Sequence, residues 1–433
     1  MILSPKAAAA TAPSRRPLAR TLGWMSLLLV GAAPVALAQN QPYYLGLSQT
    51  LSHESNLYRV GDQQVLPAGL SKADTVSSTA LFGGIDQAFG RQRLTGSASL
   101  RANRYLDNSQ LNNQGYGLNL ALDWATLDRL SGTLSLGASQ NLTRFNDVNN
   151  TGTLETQRNV EQNQQIDAKA RLGVVTRYTA EASLGLRQRR YSAASYARYE
   201  YDQQSASLGL SYRPSNLLAL GAAARLTRVD YPRYRNLGNG VFEADRLNRS
   251  DIDFTATWQP SGNSTLNARL SPTHSRYDRN TETDFSGLTG SASWVWRATS
   301  KVKLTSLLSR DTGQSYDALN QGILSSGSVG YSRTTTALKL MADYDFSAKI
   351  TMNAFVSQAR RDLDRSFNQG GASIAERGSD NATTLGLGAR WAPLRSLQLG
   401  CDLNAEQRRS SNPVLSTALN ANSLSCFGQF VLQ

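Results

Sequence analysis

The chain has 433 residues, 40% of them hydrophobic, and a formal net charge of +13, with only two cysteines and two histidines. Its mean hydropathy of −0.39 excludes a bundle of transmembrane helices. It does not exclude a membrane barrel, whose strands are apolar on one face only.

Residues 1–38 read as a secretory signal. Lys6, Arg15, Arg16 and Arg20 form a basic n-region, Leu22 to Ala33 an apolar run, and Ala36-Leu37-Ala38 a small-x-small cleavage site before Gln39. No cysteine follows that site, so a lipoprotein anchor is not indicated. Loss of the four signal cations leaves about +9 of the formal charge. A basic balance suits anionic headgroups, an acidic substrate or nucleic acid, and export argues against nucleic acid as a partner. Beyond the signal, no stretch approaches the ~20 apolar residues of a spanning helix.

From residue 39 to 433 the chain repeats one pattern, runs of about ten residues with period-two alternation. The clearest run places Tyr116, Leu118, Leu120, Leu122 and Trp124 on one face and Gly117, Asn119, Ala121 and Asp123 on the other. The next sets Leu130, Gly132, Leu134, Leu136 and Ala138 against Ser131, Thr133, Ser135, Gly137 and Ser139. Similar runs cover 180–186, 206–212, 252–258, 385–391 and 397–403. A helix would scatter these residues around its circumference, so the period specifies strands.

Short turns fall near Gly90-Arg91, 126–128, Thr176-Arg177, 214–216, 260–263, 298–300, Ser347-Ala348 and 392–394. Longer polar segments lie between them, among them Arg144 to Arg158, Pro232 to Arg246, Thr312 to Gly330 and Arg361 to Gly378. This rhythm predicts an all-β fold, one antiparallel transmembrane β-barrel of about 18 strands with periplasmic termini, in a Gram-negative outer membrane. Trp124, Tyr212, Trp258, Trp296, Tyr344 and Trp391 each end an apolar face just before a short turn. That is the place of an aromatic girdle at the headgroups, and a soluble β-protein has no reason to align aromatics beside alternate turns.

Alternation assigns Arg101, Lys169, Arg171, Arg187, Arg189, Arg225, Arg269, Lys339 and Arg390 to the lumen, with Asp123, Asp167, Glu181, Asp251, Asp253, Asp343, Asp402 and Glu406 as acidic counterparts. Two readings follow: cross-strand pairs that stiffen the wall, or a cationic lining that attracts an acidic cargo. Tyr191, Tyr196, Tyr199, Tyr201, Tyr231, Tyr234 and Tyr277 sit among arginines in the long-segment regions. They read as an upper aromatic girdle or as sugar-stacking surfaces. Arg189-Arg190-Tyr191 and Arg233-Tyr234-Arg235 are candidate lipopolysaccharide phosphate contacts. Cys401 and Cys426 fall on the last two predicted strands, as a disulfide or as two separate small apolar residues. His53 and His274 lie in different hairpins, and no nucleophile–base arrangement, metal-ligand spacing or cofactor motif accompanies them. An enzyme is not expected.

Three short stretches, His53 to Arg59, Gly90 to Arg93, and Leu118 to Trp124 followed by Arg129 to Gly132, together with the closing Cys426 to Gln433, resemble the EpsL-type proteins. These are outer-membrane barrels linked to exopolysaccharide biosynthesis and exosortase systems. The resemblance implies a hydrated path for an exopolysaccharide, with periplasmic or inner-membrane export machinery as partner. Outer-membrane lipid and lipopolysaccharide would surround it. A diffusion porin or nutrient channel is the alternative, followed by a receptor or structural barrel. A porin should carry a constriction loop folded inward.

Overall fold

A computed structural model describes residues 42–432, apart from 127–128, 146–155, 174–175, 280, 282–283, 313–331, 370–371 and 414. The signal assigned to 1–38 and nearly all of the long segment from Thr312 to Gly330 lie outside the described residues. The strands are β1 (Tyr43–Glu54), β2 (Asp74–Phe89), β3 (Gln92–Tyr105), β4 (Asn113–Ala125), β5 (Leu130–Leu142), β6 (Val160–Leu172), β7 (Tyr178–Tyr191), β8 (Tyr201–Ser215) and β9 (Leu218–Gly238). They continue as β10 (Val241–Ser261), β11 (Ser264–Tyr277), β12 (Phe285–Arg297), β13 (Val302–Asp311), β14 (Ser332–Asp345), β15 (Ile350–Gln369), β16 (Ala372–Trp391), β17 (Leu397–Ser410) and β18 (Leu419–Leu432).

Each strand pairs antiparallel with its sequence neighbours, and β1 pairs with β18, so the 18-stranded sheet closes on itself. Closure leaves no edge, and every strand finds its ladder partners within the wall, as hydrocarbon demands. The first described residues and the last both lie at the short-turn end, where the Pro42 carbonyl accepts from the Asp86 amide.

The hydrophobic side is the outside. Leu184 is 64% exposed and Leu208 68%, and Leu45, Leu120, Leu134, Ile252, Leu270, Leu338 and Leu387 share that outward face. An apolar belt of this kind is a liability in water and a requirement in a bilayer. Its short-turn rim carries Trp124, Tyr212, Trp258, Trp296, Tyr344 and Trp391, all on outward register positions. Trp294 stacks on Trp296 at 5.7 Å, and Tyr178 on Tyr212 at 5.0 Å, so the ring is denser than the sequence pattern indicated.

Two predicted loops are not loops. Pro232 to Arg246 is the far end of the β9–β10 hairpin, closed by Gly238-Asn239-Gly240 with all three residues at positive φ. Arg361 to Gly378 likewise falls largely within the β15–β16 ladder. Outside the bilayer both strand faces meet water, so the alternation that marks a strand disappears while the ladder continues. Cys401 faces Cys426 in the β17–β18 register, and the two are joined by a disulfide on the outward, lipid-side face.

Candidate functional site: the lumen and its long-loop mouth

Small polar residues make up much of the inward face of the wall. Ser97, Ser99, Asn119, Ser135, Ser183, Ser205, Ser207, Thr255, Asn267 and Ser291 all occupy inward register positions. Small side chains leave the bore of an 18-stranded barrel unfilled, and this strand number is large enough to enclose an aqueous channel.

All the cations assigned to the lumen point into it, and most are neutralised there. Arg225 holds Asp253 at 2.8 Å and Asp251 at 3.3 Å, and Arg269 reaches Asp253 at 3.3 Å. Lys169 and Arg171 share Glu181 at 3.0 and 2.8 Å, and Arg390 lies 3.1 Å from Asp402. Arg187 donates to Gln165 at 3.2 Å, Arg189 lies 3.5 Å from Glu161, and the Lys339 ammonium sits 4.5 Å over the Phe355 ring. Arg101 has no carboxylate partner among the described residues; its register neighbours are Ala80 and Gly115. The wall is a mosaic of cross-strand pairs, in which most inward cations stand against acids on the same or neighbouring strands.

Sequence alternation missed the most buried of these pairs. Arg249 on β10 spans Asp251 (2.9 Å) and Asp311 on β13 (2.8 Å), and the three side chains are 1%, 0% and 4% exposed. Thr273 donates to Asp251, and Ser271 to Asp253. On the far side Arg361 pairs with Asp380, which also accepts from Ser416.

The tyrosines do not form an upper girdle. Tyr191, Tyr201 and Tyr231 have the inward parity of Arg189 and Arg225 and are nearly fully buried. Tyr196 and Tyr199 come from a short helical turn, Ala194–Tyr199, and pack against them. Tyr231 lies 6.2 Å from Tyr201 and 6.3 Å from Tyr277, while Arg198 stands 5.6 Å from the Tyr199 ring and 6.0 Å from Tyr234. The cluster packs the interior of the long-loop end, which makes stacking on free sugar faces the weaker reading.

The mouth is narrowed by the segment between β1 and β2. Ser55 and Asn56 fasten it to β18 through the backbone of Asn422 and Asn420. Leu57, Tyr58 and Val60 then cluster with Leu111 and Phe145, with the Tyr58 ring 4.7 Å from Phe145. Arg59 passes inward to pair with Glu406 on the lumen face of β17. Arg144, which follows β5, reaches the same carboxylate at 3.7 Å. Chain from β1, β5 and β17 therefore meets inside the bore. Burial, followed by the neighbouring Arg144 charge, pushes Arg59 down to about 10, with Glu406 opposing.

Asp74, at the long-loop end of β2, ties this segment to its neighbour. It is 1% exposed and accepts from the backbone amides of Thr75, Leu106, Asp107 and Asn108 and from the Asn108 side chain. Burial alone would raise its pKa, but these donors hold it below the ordinary 3.8. A depressed carboxylate adds stability above its unfolded pKa, and that stability is lost as pH falls through the folded value. Amide-exchange protection at Leu106, Asp107 and Asn108 should therefore persist at pH 5 and collapse only below about pH 4. Loss of protection already at pH 5 would contradict this role.

A closed barrel with an outward apolar belt, an aromatic rim and a polar interior defines an outer-membrane β-barrel of the channel-forming size class. Among solved structures the chain is similar to OpdL of Pseudomonas aeruginosa, at 12% identity over 90% of this chain and 98% of that one, with a TM-score of 0.45. It is similar to OccAB3 of Acinetobacter baumannii (12%, 90% and 98%, TM-score 0.46). The FrpB iron transporter of Neisseria meningitidis is a further likeness (9%, 91% and 81%, TM-score 0.47). No family description matches the chain, and no curated protein does, so the resemblance to EpsL-type proteins gains no support from them.

Proposed function

We propose that this barrel is a channel for small hydrophilic solutes across the outer membrane, constricted at its long-loop mouth. The observation that carries the reading is the inward-docked segment 55–73, which meets Arg144 and Phe145 inside a bore lined by small polar residues and paired charges. An export path for an exopolysaccharide needs a bore continuous for a polymer, which a mouth crossed by this segment fits poorly. The diffusion-channel alternative is therefore preferred over the export role implied by resemblance. Paired charges along the wall add local polarity without a net trap, which favours passage over tight binding. By the usual arrangement of such barrels the long-loop end faces the exterior and the short turns the periplasm.

Liposome swelling tests this directly. Vesicles carrying the purified barrel should swell in small neutral sugars and fall off steeply with sugar size. Equal rates for a pentose and for a long oligosaccharide would refute a constricted mouth, and no swelling in any sugar would refute a channel.

A further inference from the structure

The group of arginines around Glu406 is used neither by the barrel wall nor by passage of neutral solutes. Arg59 arrives from the segment after β1, Arg144 from the segment after β5, and Arg408 from β17 itself. All three contact one carboxylate, with Arg144 at 3.7 Å and Arg408 at 3.6 Å. Gathering like charges is costly unless something offsets it. Arg59 has no second carboxylate among the described residues. Its side chain is 2% exposed, yet among the described residues its Nε and Nη1 donors have no hydrogen-bond partner. A buried guanidinium with two idle donors is an incomplete arrangement.

The backbone there is specialised as well. Arg59 has φ +53°, a left-handed conformation that non-glycine residues seldom adopt. It is held by Asn56, whose side chain accepts from the Val60 amide and donates to the Val60 carbonyl, and by the Asn56 carbonyl, which accepts from the Arg59 amide. The fold thus fixes the guanidinium at this point. Arg144, 27% exposed, gives the cluster an open side.

We propose that Arg59, Arg144 and Arg408 form a binding site for a small oxyanion, a phosphate, a sulfate or a substrate's carboxylate group, with Glu406 as its competitor and placeholder. The idle Nε and Nη1 of Arg59 flank the Nη2 that meets Glu406, so an oxyanion sharing or displacing that carboxylate gains a second donor on either edge of the guanidinium. A bound oxyanion would bridge the β1–β2 segment to β17 and hold the mouth narrow. The site belongs to the mouth described above, but anion binding does not require that solutes pass, so the two claims fail separately.

Isothermal titration of the detergent-solubilised full barrel with inorganic phosphate, at constant ionic strength, tests the site. The wild type should show saturable binding at one site, and Arg59→Gln should weaken it by about tenfold or more. Glu406→Gln should tighten it, because the competing carboxylate is gone. Were the cluster merely a structural ion pair, Glu406→Gln would leave the arginines repelling one another and would weaken or abolish binding, which overturns the proposal. Absence of saturable heat in the wild type does the same. Arg144→Gln, at the exposed side, gives a second weakening variant should Arg59→Gln fail to fold. Phosphate binding with no conductance would leave the site standing and remove the channel.

Discussion

Arg249→Met should be the most damaging single substitution in the barrel wall, costing about 3–5 kcal/mol. The arginine is the shared partner of two carboxylates that are almost wholly buried, Asp251 and Asp311. Arg225 at 3.3 Å still offsets Asp251 after the change, but Asp311 keeps no salt-bridged cation among the described residues. Methionine fills much of the volume, so the cost is electrostatic and leaves packing nearly intact. Urea unfolding followed by the mobility shift of the folded barrel on electrophoresis would measure it. Adding Asp251→Asn and Asp311→Asn to the same chain should recover much of the loss, because removing all the charges is far less costly than stranding some of them. A single variant as stable as wild type would mean that water, not Arg249, solvates these carboxylates.

The second large effect concerns passage. Glu54 and Asp74 are register partners at the top of the β1–β2 ladder. A two-residue Asn-Gly turn can therefore replace 56–72 without disturbing a strand. Asp74 keeps its donors from residues 106–108. What is lost is Tyr58, Arg59 and Val60, the part of the segment that crosses the bore. Single-channel conductance in planar bilayers should rise severalfold in the shortened protein. A conductance equal to that of the full chain would show that this segment does not form the constriction.

The barrel was legible in the sequence because its physics is periodic. One face of each strand meets hydrocarbon and the other does not, so parity alone placed Arg225, Arg390 and Trp391 on their observed sides. The same rule, carried two residues further, puts Tyr191 with Arg189 and Tyr231 with Arg225, inside the barrel. Reading those tyrosines as a girdle weighed residue type over parity. Parity fails where both faces are wet, which is why the ladder through Arg235 and Glu243 looked like loop. It is also silent on the mouth. Arg59 sits in a stretch without periodicity and finds its partner 347 residues away, a contact that only closure of β1 on β18 creates. The charge of the lumen cannot be read from parity for a related reason. Counting inward cations gives an excess, but neutralisation depends on which acids stand opposite, as Glu181 does for both Lys169 and Arg171.

Single-channel recording of the wild-type protein in potassium chloride shows whether a water-filled path runs through the full-length barrel. Discrete, ohmic steps of small size, with weak preference between cation and anion, are the expected result for a constricted bore whose wall charges are paired. A silent bilayer, from protein shown to be folded and inserted, would contradict it.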